Sequence, residues 1–116
     1  MALPDVNTLT DLGGPFEILD LGDGGEIELQ VTGYHVGRMT IHPRPAGYPK
    51  AIVALRVWVP EHIKPLYPDY YDITSQTLIA QLLPSLEAGG YRGRRYTIKK
   101  HGSGPQARFS LGTRPG

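Results

Sequence analysis

A chain of 116 residues without cysteine is long enough to bury one core unaided, and it excludes disulfides and thiolate metal sites. No apolar run reaches the length of a membrane-spanning helix and the first residues lack a basic-then-apolar leader pattern, so a cytoplasmic protein, of a cell or of a phage or other virus within one, is expected. The formal net charge of +1 hides a division: residues 1–30 hold seven acidic side chains and no Lys or Arg, and residues 91–116 hold seven Lys or Arg and no Asp or Glu. Such asymmetry points to a polyanion-binding surface, to an acidic shield over one, or to the two ends neutralising each other.

In chain order, residues 1–14 show no sustained period, end in Gly13-Gly14 and read as an N-terminal arm. Phe16–Leu21 alternates imperfectly and predicts a first strand, and Gly22-Asp23-Gly24-Gly25 predicts a turn. From Glu26 to His42, Ile27, Leu29, Val31, Met39 and Ile41 share one parity, while Glu28, Gln30, Thr32, Tyr34, Arg38, Thr40 and His42 share the other. Gly33 and Gly37 fall on the apolar parity, which predicts one long strand, bent at glycine, with a polar face.

A proline-rich loop from His42 to Pro49 precedes the clearest strand, Ala51–Val59. Ala51, Val53, Leu55, Val57 and Val59 point one way and Ile52, Ala54, Arg56 and Trp58 the other; both faces are fairly apolar, so a central strand is predicted. Residues 60–72, with three prolines and three tyrosines, predict an irregular connection. Leu78, Ile79, Leu82, Leu83 and Leu86 then form one stripe at helical spacing. Asp72 or Thr74 is the expected N-cap, Pro84 the expected kink or end of the regular helix, and Gly89-Gly90 the stop. Tyr91–Arg108 contains Arg92, Arg94, Arg95, Lys99, Lys100, His101 and Arg108 without an acid. Its alternating runs Tyr96–Lys99 and Ala107–Leu111 flank Gly102-Ser103-Gly104-Pro105, which predicts a basic β-hairpin over 94–108. Residues 112–116 read as a frayed tail.

This order, β, long bent β, β, α, β, β, resembles that of the oligonucleotide-binding (OB) fold, a small five-stranded barrel with one helix between strands three and four. The resemblance spans 15–111, is one of element order rather than motif, and implies a mainly β domain. In that family the ligand lies across strands two and three, flanked by the loops after strands one and four. Carried onto this chain, it implies a sheet face presenting Tyr34, Arg38, Arg56 and Trp58, with Thr40 and His42 beside them, and a flanking hairpin adding Arg94, Lys99, Lys100, His101 and Arg108. Cations neutralise phosphates and aromatic faces stack bases, which suits non-catalytic, largely sequence-independent binding of single-stranded DNA or RNA.

Each feature also has a purely structural reading. Trp58 suits a core, Tyr67, Tyr70 and Tyr71 suit the cover of a core edge, and Arg92, Arg94 and Arg95 suit partners for the acidic N-terminal third. A second functional class is a protein–protein adaptor or inhibitor, viral or cellular, using an apolar patch from Ile63, Tyr67, Tyr70 and Tyr71. The four histidines lack metal-ligand spacing and no serine has a nucleophile-elbow context, so neither enzyme, metal site nor cofactor is expected.

Overall fold

The apolar run is most nearly continuous in Lys50–Trp58, as expected of a strand covered on both faces, and that segment is the middle strand, β3, of a three-stranded antiparallel sheet in the computed structural model, which describes residues 3–41, 48–102 and 107–115. Its neighbours are β2 (Gly33–Ile41) and β4 (Tyr70–Ile73). A second antiparallel sheet of three strands places β5 (Arg94–His101) between β1 (Glu26–Leu29) and β6 (Arg108–Pro115). The helix α1 (Gln76–Glu87) lies against β3 and β6. Leu78, Ile79, Leu82, Leu83 and Leu86 face inward from it and join Leu29, Leu55, Val57, Ile73, Tyr96 and Ile98 in the main core.

The five-stranded barrel is therefore replaced by six strands in two sheets, with no closed barrel among the described residues. The helix follows β4 rather than the third strand, because Tyr70–Ile73, hidden among prolines and tyrosines, is itself a strand. Phe16–Leu21 forms no strand; Ile18 alone bridges Asp72. The predicted long strand is two, and the reason is a change of phase. Ile27 and Leu29 face inward opposite Ile98 and Tyr96, and Val31 follows them into the core. Beyond Thr32-Gly33 the inward parity passes to Tyr34 and Val36, opposite Val57 and Leu55. The Thr32 N–H donates to the Trp58 carbonyl at 2.9 Å where the chain changes sheets.

Met39 and Ile41 consequently face away from the main core. They form a small second cluster with Ala54, Ile52 and Leu12, and Leu12 comes from the N-terminal arm. The arm, which extends past the expected residues 1–14 to Leu19, pairs with both borders of this sheet. Leu12 N–H donates to Arg38 O and Arg38 N–H to Thr10 O beside β2; Leu19 N–H donates to Asp72 O and Asp72 N–H to Glu17 O beside β4. Between these borders the arm crosses the sheet. Gly37 permits the approach, since a Cβ there would lie 2.5 Å from Leu12 Cδ2. Leu12→Ala should cost about 2 kcal/mol in chemical denaturation, the low end for a buried leucine because its cluster is small. Amide exchange at Leu12 and Arg38 should quicken with it.

Local signals explain the helix ends. Ser75, not Asp72 or Thr74, is the N-cap, its Oγ accepting from Leu78 N–H. At the other end Gly89, at φ 78°, donates to Leu86 O while Gly90 N–H donates to Ser85 O, a Schellman closure. Pro84 lies inside the helix. β6 continues through Gly112 to Pro115, so residues 112–115 are paired with β5 rather than frayed.

Candidate functional site

The basic hairpin forms, and its two sides differ. Tyr96 and Ile98 of β5 are buried, which turns Arg95, Thr97, Lys99 and His101 outward. Their cross-strand partners on β6 are Arg114, Gly112, Ser110 and Arg108, and β1 adds Glu26 and Glu28 opposite Lys99 and Thr97. This outer face carries four Arg or Lys side chains, one histidine and two carboxylates among the described residues.

Charge is distributed unevenly along it. At one end Glu28 is shared: Arg95 Nη1 donates to its Oε1 at 3.0 Å and Arg114 Nη2 donates to its Oε2. At the other end Lys99 and Arg108 are exposed and make no ion pair among the described residues. His101 Nε2 lies 2.6 Å from Ser110 Oγ between them. The glycine turn before β1 braces this end, with Gly24 N–H donating to Lys100 O and Asp23 Oδ1 accepting from Gly102 N–H. Residues 103–106, which include the rest of the predicted turn, lie outside the described residues, as does His42.

Lys100 has the opposite parity. It lines a pocket of about 190 Å³ between the sheets, with Asp20, Phe109 and Leu78 and close to the start of α1. Arg94, at the entry to β5, is exposed. Beside it the Arg92 guanidinium lies 5.8 Å from the centre of the Tyr91 ring, and Tyr34 meets Tyr91 edge-on at 5.9 Å. Tyr34 and Tyr91 are both half-buried.

The face expected from Tyr34, Arg38, Arg56 and Trp58 does not exist as one surface. Register places Tyr34 and Arg38 opposite Val57 and Val53, on the side away from Arg56 and Trp58. Arg38 is bound to Asp11 at 2.7 Å, a contact that holds the Asp11 carboxyl below its ordinary range through its hydrogen bond and then its charge. Trp58 packs edge-on against Tyr70. Arg56 is 7% exposed; its Nε and Nη2 bind the fully buried Asp72 at 2.7 and 3.1 Å, and Nη2 also donates to Gly13 O at 2.8 Å. Its guanidinium lies 4.0 Å over the Tyr70 ring. Arg56 is thus an anchor for the arm, not a phosphate ligand. The hydrogen bond to Asp72 keeps its proton held more tightly than in a free side chain.

The apolar patch expected for an adaptor is divided as well: Tyr70 is buried and Tyr71 and Ile63 are half-buried, while Leu66 and Tyr67 are each 77% exposed. Among the described residues no group of three or more His, Asp or Glu is placed to hold a metal, and no helix is long and apolar enough to cross a membrane. Arg114 and Glu28 are participants not expected from the sequence, whereas Arg95, expected as a partner for the acidic N-terminal third, enters the site through that kind of contact, with Glu28. Two-residue spacing back from Lys99 points to Arg95, whereas Arg114 was hidden by the breaker-like Gly112 and Pro115. No protein-family model, no curated protein and no solved structure matches this chain.

Proposed function

We propose that the protein is a non-catalytic module that binds single-stranded DNA or RNA through phosphates, on the outer face of the β1-β5-β6 sheet. The observation that carries this reading is the exposed row of Lys99, His101 and Arg108 on two paired strands, with neither cation engaged in an ion pair among the described residues. Cations fixed on a sheet neutralise phosphates without reading sequence. The half-buried pair Tyr34 and Tyr91, with Arg92 beside Tyr91, favours a single strand, since unpaired bases offer stacking faces that a duplex conceals. Among the described residues the outer face itself presents no Tyr, Phe or Trp ring, so affinity there is chiefly electrostatic. Replication or recombination in the cytoplasm, of a cell or of a phage within one, supplies such strands.

Fluorescence anisotropy of a labelled strand of ~20 nucleotides, longer than most single-module sites, tests this against a duplex of equal length at several salt concentrations. The single strand is expected to bind more tightly, with a log–log salt slope of about −0.7 for each phosphate contacted. Absence of binding at low salt overturns the reading.

A further inference from the structure

Arg95 and Arg114 are directly opposite one another on β5 and β6, and both guanidiniums converge on a single carboxylate from β1. Each oxygen of Glu28 has its own guanidinium. Two such forks closing on one anion is the arrangement that a phosphodiester, with two free oxygens, satisfies in the same way. Glu28 does not use all of the donors: Arg95 Nε is buried and has no acceptor among the described residues.

We infer that Arg95 and Arg114 form a second phosphate subsite on the outer face and that Glu28 occupies it as an internal counter-ion. The inference rests on the reading of this face as a single-strand interface. Arg95 lies four residues from Lys99 along β5, about 13 Å away, so fork and hairpin end take different phosphates of one strand. A phosphate enters the fork only by displacing Glu28, which lowers the affinity of the unaltered protein. The hydrogen bonds from Arg114 and Arg95 hold the Glu28 carboxyl below its ordinary range. It stays ionised throughout neutral and mildly acidic pH, so mild acid does not unmask the subsite. The mask yields to a competing anion instead.

Glu28→Gln keeps the shape and removes the charge. It is expected to tighten single-strand binding by about tenfold at low salt and to steepen the salt slope by about 0.7, one further phosphate. Glu26→Gln is the control, since it makes the same change in net charge on the same strand and face without touching the fork. Adding Arg114→Ala to Glu28→Gln should abolish the gain. If Glu28→Gln fails to fold, Glu28→Asp keeps the charge but is too short to reach both guanidiniums, and it should tighten binding in the same direction. Binding by the unaltered protein with no gain from either Glu28 variant beyond that of Glu26→Gln overturns the fork alone. Failure of every variant to bind at low salt overturns the interface reading and the fork with it.

Discussion

Arg56→Ala is expected to destabilise the protein by about 3–5 kcal/mol, the cost of leaving a buried charge without its partner. Asp72 is fully buried, and the two hydrogen bonds from Arg56 are its only contacts with a cation among the described residues. Removing the guanidinium leaves the carboxylate with the Glu17 N–H at 3.0 Å as its remaining side-chain partner. It also removes the donor to Gly13 O and the cation over Tyr70. The melting temperature should fall by more than about 10 °C for a domain of this size. Arg56→Met combined with Asp72→Leu should recover most of the loss, since the pair is then replaced by apolar volume. What remains is about 1 kcal/mol or more for the Glu17 N–H, which loses its acceptor. Denaturation of the three variants decides the matter; a change below about 1 kcal/mol for Arg56→Ala would show that Asp72 is not held as a buried ion. At a temperature where it remains folded, Arg56→Ala should bind single strands as the unaltered protein does, because Arg56 lies under the arm and away from the outer face.

That contrast shows where sequence patterns carry structural information and where they stop. The leucine stripe of α1, the apolar run of β3 and the basic hairpin are local, so their patterns survive folding unchanged. The segment Glu26–His42 misleads because Gly33 has no side chain to reveal that the inward phase shifts beside it. Met39 and Ile41 look continuous with Ile27 and Leu29, yet they serve the arm cluster on the other side of a different sheet. Ile52 and Ala54 gave a hint, since an apolar second face on β3 demands a cover; nothing local identifies residues 10–19 as that cover. Arg56 is the sharpest case. An arginine on a strand looks like a phosphate ligand until a carboxylate 16 residues away is buried against it. Burial is decided by the whole fold, and the sequence period records only which residues share a side. Glu28 shows the same limit in part: the charge division between the chain ends suggests a partner such as Arg95, but not that Glu28 is the carboxylate it meets nor that Arg114 joins it, 67 and 86 residues away.

Charge reversal at the exposed end of the hairpin should have the largest effect on binding. Lys99→Glu with Arg108→Glu removes two cations from neighbouring positions on paired strands and sets two anions in their place. Affinity for a single strand at low salt should fall on the order of a hundredfold, and the salt slope should shrink by about 1.4, two phosphates at 0.7 each. Stability should change by less than about 1 kcal/mol, with most of that change arising where the reversed Lys99 position faces Glu26 across the strands. Lys50→Glu separates local from global charge. Lys50 is exposed at the start of β3, in the other sheet, so its reversal alters net charge while leaving the outer face intact. A local phosphate site predicts a small effect there and a large one for Lys99→Glu alone; equal losses from the two single variants would mean that the strand responds to total charge and not to this face. Anisotropy titrations of the single variants at two salt concentrations distinguish these outcomes, because a lost contact changes the slope whereas a diffuse field lowers affinity with little change in it.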